Sequence, residues 1–403
     1  MLVKRYKAVS TLLAAAALLG IMSSFAFAAD APAGVQVHGY MQNRVYLADG
    51  ASAEFRSERI SISALAPLPD ESNAYVELYY HPWTSSNGLY AESAYYDTGL
   101  GAGRVRVGKG RRMTFGITPA YPNRKTSNYG LVSEAFTQDR IQGVQYMIQK
   151  GALDAGISVH TAYRLGIRNI GEIPGDDVRN NATAGPPLHI GHIVPHLSLR
   201  DPHSGSGTPV TSTAPNQLSR HPQFSGRLGG KWKSGLKAGV SYSFAHLDAR
   251  DRANLNTAGT VLAPTNPTTG AATPSIGGGA FTGESMRIFG LDAGHKFPCG
   301  LVLQGEFYDA KVSNLRYGAW NGLIGYEMKS GWKFFARYAK QDMDIARSAN
   351  PLTWDTQQVS ISLVQPLRKG LWLQYEYEIN TEDTDTGLSV PNNIFFVELF
   401  TGF

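Results

Sequence analysis

Between Leu371 and Ile379 the chain alternates with a period of two: Leu371, Leu373, Tyr375, Tyr377 and Ile379 share one parity, and Trp372, Gln374, Glu376 and Glu378 the other. Successive side chains of a β-strand point to opposite faces, so this pattern predicts a strand with one oily and one polar face. Leu301, Leu303 and Phe307 alternate in the same way with Gln304 and Glu306. Trp332, Phe334, Ala336 and Tyr338 alternate with Lys333, Phe335 and Arg337, and Val35, Val37, Met41 and Val45 with Gln36, His38, Gln42 and Arg44. Sixteen such segments begin near residues 35, 54, 74, 89, 103, 141, 153, 222, 236, 285, 300, 319, 331, 356, 371 and 393. An even number of amphipathic strands with little else predicts an all-β fold, a sixteen-stranded antiparallel transmembrane barrel, with Tyr79, Tyr80, Trp83, Tyr95, Tyr338 and Trp372 expected to supply part of its interfacial aromatic girdles.

The connections sort by length in strict alternation. Pro67–Asn73, Thr98–Ala102, Lys150–Gly151, Lys233–Gly235, Phe297–Pro298, Ser330 and Leu367–Gly370 are short. Connections of the other parity include Lys109–Arg140, Leu165–His221, Asp248–Glu284, Gln341–Asp355 and Thr381–Asn392, all long. Short periplasmic turns and long external loops are the habit of outer-membrane barrels. The segment Leu188–Leu199 has some strand character, but a seventeenth strand would break the parity, so it is placed in the fourth loop as a short hairpin.

The chain opens with Lys4, Arg5 and Lys7, an apolar stretch from Thr11 to Met22, and Ala26-Phe27-Ala28. These are the parts of an export leader, expected to span residues 1–28 and be removed, which leaves one barrel domain over residues 29–403. Without the three leader cations, 34 Lys and Arg face 32 Asp and Glu, a balance that suggests no nucleic-acid partner. The single Cys299 has no intramolecular disulfide partner.

Charge becomes informative in its distribution. From Thr98 through Ser133 lie Arg104, Arg106, Lys109, Arg111, Arg112, Arg124 and Lys125 without one acidic residue. Alternation turns Arg104 and Arg106 to the lumen, as it does Arg44, and Arg59 joins them as a candidate pore-lining cation. Glu77, Glu92, Glu306, Glu376, Glu378 and Glu398 are expected to face the lumen as an opposing acidic wall. His189, His192, His196, His203 and His221 fall in the fourth loop and read as surface histidines; no metal or cofactor is expected.

The last eleven residues end in Phe403 and place Phe395, Val397, Leu399 and Thr401 on its parity. This resembles the closing-strand signal of bacterial outer-membrane proteins, which the barrel-assembly machinery recognises. Phe55-Arg56-Ser57-Glu58-Arg59-Ile60, Tyr90 to Asp97, Arg104-Val105-Arg106-Val107-Gly108-Lys109 and Phe115-Gly116 resemble the front half of the phosphate-selective porin O/P group. That resemblance implies a passive, water-filled porin for small hydrophilic solutes, anions or phosphate among them. It also implies a homotrimer in outer-membrane lipid and lipopolysaccharide, with the loop 109–140 folded inward as a basic constriction. The rival readings are a closed structural or adhesive barrel and a barrel enzyme such as a phospholipase.

Overall fold

The computed structural model describes residues 34–48, 53–80, 89–111, 113–119, 122–127, 130–137, 140–160, 221–249, 252, 282–345, 354–384 and 393–403. The expected leader, Arg112, the segment Leu188–Leu199 and the four histidines from His189 to His203 lie outside them. The strands are β1 (Gln36–Ala48), β2 (Glu54–Leu68), β3 (Ser72–Tyr80), β4 (Leu89–Leu100), β5 (Gly103–Arg111), β6 (Arg140–Lys150), β7 (Leu153–His160) and β8 (Gln223–Lys231). They continue as β9 (Leu236–His246), β10 (Ser285–Lys296), β11 (Leu301–Val312), β12 (Leu315–Glu327), β13 (Lys333–Ile345), β14 (Trp354–Arg368), β15 (Leu371–Thr384) and β16 (Ile394–Gly402). Every strand pairs antiparallel with its chain neighbours, and β1 pairs with β16, so the sheet is a closed barrel.

The sixteen expected strands are the sixteen present. The largest displacement is at β12, expected near residue 319 and starting at Leu315. The first part of its inner row is apolar, with Leu315, Tyr317 and Ala319 buried, so the oil-out, polar-in pattern is blurred there.

The oily rows point outward, the inverse of a water-soluble fold. Leu228 is 65% exposed and Ile157 62%, and Val45, Val144, Phe244, Leu291 and Ile361 also lie bare on the exterior. Polar groups such as Gln42, Gln145, Ser241 and Glu376 are buried on the interior. Closure satisfies the strands' backbone hydrogen bonds within the sheet, which lets a sheet face hydrocarbon at all. Among the described residues no helix is long and apolar enough to cross a membrane.

Two bulges redirect acidic side chains inward. In β2 the register steps from Arg59 opposite Gln42 to Ser57 opposite Asn43, which leaves Glu58 as an extra residue. Glu58 then accepts a hydrogen bond from Tyr46 at 2.7 Å, while Arg59 lies over the Tyr79 ring. The register between β3 and β4 likewise skips Glu92. An added residue lets two consecutive side chains face the same way, as period-two counting cannot anticipate.

The aromatic girdle differs from the sequence expectation. The residues expected there were Tyr79, Tyr80, Trp83, Tyr95, Tyr338 and Trp372. Tyr79 and Trp372 instead stand inside with Tyr40 and Phe400, joined by a 2.8 Å Tyr40–Tyr79 hydroxyl contact and a Trp372–Phe400 stack at 4.0 Å. Tyr95 also faces the lumen, and Trp83 lies outside the described residues. Aromatics on the outer surface include Tyr96, Trp232, Tyr242, Trp320, Tyr326 and Tyr377.

The seam closes on a reciprocal pair of backbone hydrogen bonds, Gly39 N to Phe403 O and Phe403 N to Gly39 O, both 2.9 Å. A Cβ on Gly39 would collide with the Phe403 ring and come within 2.7 Å of the Ser61 carbonyl oxygen. Gly39→Val and deletion of Phe403 are therefore both expected to lower the yield of closed barrel. The check is the folded, heat-modifiable band on an unheated denaturing gel; full yield from either variant would contradict this account of the seam.

Candidate functional site

The segment between β5 and β6 enters the lumen. Its short helix α1 (Leu131–Phe136) is buried, and Phe136 stacks on Tyr308 at 4.7 Å and on Tyr317 at 5.1 Å. Phe115 covers Tyr308 from 6.1 Å. These contacts explain the apolar inner row of β12: it is the seat of a loop. At the same place Glu306 of β11 accepts hydrogen bonds from the Ile117 and Thr118 amides at 2.8 and 3.0 Å, and from the Ser133 hydroxyl at 2.9 Å.

A second anchor is ionic. Glu398 of β16, 1% exposed, accepts from Arg44 Nε at 2.6 Å, Gln42 at 2.9 Å, the Ser127 hydroxyl at 2.7 Å and Arg124 at 3.3 Å. Arg44 also donates to the Ser127 carbonyl at 2.8 Å. Glu376 of β15 accepts from the Ser127 amide, and Arg337 of β13 donates to Thr126 Oγ1 at 2.6 Å. Arg337 lies 3.6 Å from Glu378 and 3.9 Å from Glu376. Gly130, with φ of 79°, passes so close to the Arg337 guanidinium that a side chain there would strike it. Charge pairs at such burial hold because each partner is multiply hydrogen-bonded; removing one strands the other at a cost of about 3–5 kcal/mol.

The loop thus leans on the wall formed by β11 to β16 and β1. The side it leaves open is a chamber of about 500 Å³ along β1 to β6, bounded on the loop side by Pro122 and Arg111. Arg106, Arg111 and Arg140 line it against the single carboxylate Glu77, with Tyr75, Tyr95 and His38 in the same wall. Arg111 is braced by the carbonyls of Thr137, at 3.1 Å, and Thr118. Arg106 reaches Asp97 at 3.0 Å and lies 3.9 Å from the Tyr95 ring centre. Arg140 pairs with Glu92 at 2.6 Å.

The candidates divide accordingly. Arg106 and Arg111 stand in the chamber, and Arg104 sits beside them, paired with Asp97 and half exposed. Lys109 is tied to the Ala91 carbonyl on β4, and Arg59 rests on Tyr79. Arg44 and Arg124 hold the loop. The expected acidic wall is a correction: its members do not face the cations as one surface. Glu77 and Glu92 stand on β3 and β4 beside the basic strand β5, whereas Glu306, Glu376, Glu378 and Glu398 are occupied by the loop and by arginines.

Sequence reading missed Arg140, Arg337 and Asp97, although Arg337 sits on the inward parity already recognised in its strand. It also missed a basic arc assembled from distant positions. Lys231, Lys237, Lys296 and Lys333 occupy the inward parity near the short-turn ends of β8, β9, β10 and β13. Burial pushes the Lys125 ammonium below the ordinary lysine value; Lys237, Lys296 and Lys333 add to this and Glu327 opposes it.

Among the described residues no three potential metal ligands cluster, and His221 meets His246 as a ring pair 4.5 Å apart. His160 Nε2 lies 2.9 Å from Ser225 Oγ, itself 3.1 Å from Ser243 Oγ, and all three are buried in the wall.

No family model matches the chain, and no curated protein does. Among solved structures it is similar to OmpF of Salmonella typhi in complex with daunomycin, with 9% identity, 92% of this chain and 97% of that chain covered, and a TM-score of 0.60. The outer membrane channel DcaP of Acinetobacter baumannii gives 12%, 92%, 97% and 0.58. An anion-selective porin from Comamonas acidovorans gives 12%, 92%, 99% and 0.51. At these identities the likeness is one of fold, that of a porin-like outer-membrane β-barrel.

Glu398→Ala leaves Arg44 and Arg124 without their shared acceptor, so the loop should loosen. Limited proteolysis in detergent is expected to cut within residues 113–137 in this variant and to spare them in the wild type. Equal resistance would show that Glu398 does not hold the loop.

Proposed function

We propose that the chain is an outer-membrane porin, a passive water-filled channel for small hydrophilic solutes with a preference for anions. The observation that carries the reading is the placement of the inserted loop. Its carboxylate anchors lie on one wall and are neutralised there, while the chamber left beside it is lined by Arg106, Arg111 and Arg140 with Glu77; with Arg104 and the paired Asp97 and Glu92 included, four guanidinium groups stand against three carboxylates on that side. In a narrow passage with low-dielectric walls such an excess raises the local anion concentration, and guanidinium forks suit carboxylate and phosphate oxygens. Toward the short-turn mouth the inward lysines Lys231, Lys237, Lys296 and Lys333 continue the same sign, in part offset by Asp154 on Lys231 and Glu327 on Lys296. Phosphate is one member of the solute class, supported by the resemblance of the front third to the phosphate-selective group. The name of the Comamonas structure, an anion-selective porin, agrees with the reading.

The outward apolar band supports residence in lipid, and Phe403 at the seam supports its role as the assembly signal. Asn43 and Ser57 stand on the outer parity of β1 and β2, hydrogen-bonded to each other at 2.9 Å between apolar neighbours. A polar pair on that surface favours contact with protein over hydrocarbon, which supports a homotrimer packed through this face.

Arg111→Glu replaces a chamber cation by an anion. Its reversal potential in a planar bilayer under a salt gradient should move toward cation preference relative to the wild type, and Arg106→Gln should move it by less in the same direction. An unchanged potential in both variants would remove these residues from the conduction path.

A further inference from the structure

Beyond its charge, the chamber carries an aromatic stack that a simple ion filter does not require. Tyr75 and Tyr95 face each other directly across β3 and β4, with ring centres 5.0 Å apart and planes 30° from parallel. The Arg106 guanidinium caps the far side of the pair at 3.9 Å from the Tyr95 centroid. Both tyrosines line the open volume. An inorganic anion gains nothing from two tyrosine rings, whereas a planar ring can lie against the Tyr75 end of the stack, the other face of Tyr95 being taken by Arg106, and gains the quadrupole attraction of an aromatic pair. A volume of about 500 Å³ accommodates a ring compound with its hydration.

We infer that this chamber selects aromatic monocarboxylates, the ring lying against the Tyr75–Tyr95 stack and the carboxylate directed at Arg111 and Arg140. The inference rests on the anion-channel reading and names its substrate class. Glu77 sets the limit to one acid group. It stands in the same wall, bonded to Ser61 at 3.1 Å, and repels a second carboxylate at the tyrosine end. The guanidinium groups thus supply affinity for charge and the tyrosines supply discrimination by shape, since aliphatic rings of the same size and charge lack a π-face.

The test uses the whole wild-type channel reconstituted in a planar bilayer. Benzoate and cyclohexanecarboxylate, matched in charge and close in size, are titrated as blockers of chloride current, and the chloride reversal potential is read on the same membranes. An anion-favouring potential, with benzoate blocking at roughly five-fold lower concentration than cyclohexanecarboxylate or better, is the expected result, the order of one added ring contact. In Tyr75→Leu the two should converge. Should that variant fail to assemble, Tyr95→Leu, which removes the second ring of the stack, should narrow the difference instead. An anion-favouring potential with equal block by the two acids overturns the aromatic selectivity and leaves the porin reading standing. A cation-favouring potential overturns the charge reading itself and this inference with it.

Discussion

The arrangement inside the barrel depends on one buried charge network. Glu398, together with Glu376 and Glu378, stands on the last two strands, and Arg44, Arg124 and Arg337 converge on them from β1, the loop and β13. Carboxylates so enclosed are costly unless donors meet them, and here Ser127 serves two, its amide donating to Glu376 and its hydroxyl to Glu398. The network fixes the side of the lumen on which the loop lies, and so the side that stays open. Glu306 does the same at the other end of the loop, where the aromatic seat of Tyr308 and Tyr317 adds shape to charge.

The lipid supplies the outer constraint and the loop the inner one, and the two ask different things of a strand. Outward rows must be apolar where they meet hydrocarbon. Inward rows must be polar where they meet water and apolar where they meet the loop, as on β12. This conflict explains why the porin-like barrel was legible in sequence and its interior only in part. Period-two alternation registers the outward row, which is largely apolar, so sixteen strands and their order are legible from Val35 onward. The sorting of connections is an independent sign of barrel organisation, broken on the long-loop side by the two-residue turn Ser313–Asn314 and the short connection 49–53.

The site was legible as a list of charges and not as an arrangement. The basic run from Arg104 to Lys125 is visible in any reading, and Arg106 and Arg111 do reach the chamber. Its division into wall-lining and loop-holding members depends on contacts 83 to 274 residues apart in sequence, which local pattern cannot supply. The acidic residues were misread as a facing wall because alternation reports in or out and says nothing of position around the circumference. Tyr79, Tyr95 and Trp372 were read as girdle residues for a related reason: an aromatic on the inner row looks like one on the outer row unless the parity of its neighbours is followed. The bulges at Glu58 and Glu92 interrupt that parity within the strands that carry the chamber.

If an inserted, anchored loop narrows an open channel, single-channel conductance of the refolded wild type should differ from that of a variant in which residues 113–137 are replaced by a short turn. Stable open steps are expected from the wild type and distinctly larger steps from the variant. Absence of current from properly folded wild type, or equal conductance in the two proteins, would contradict that reading.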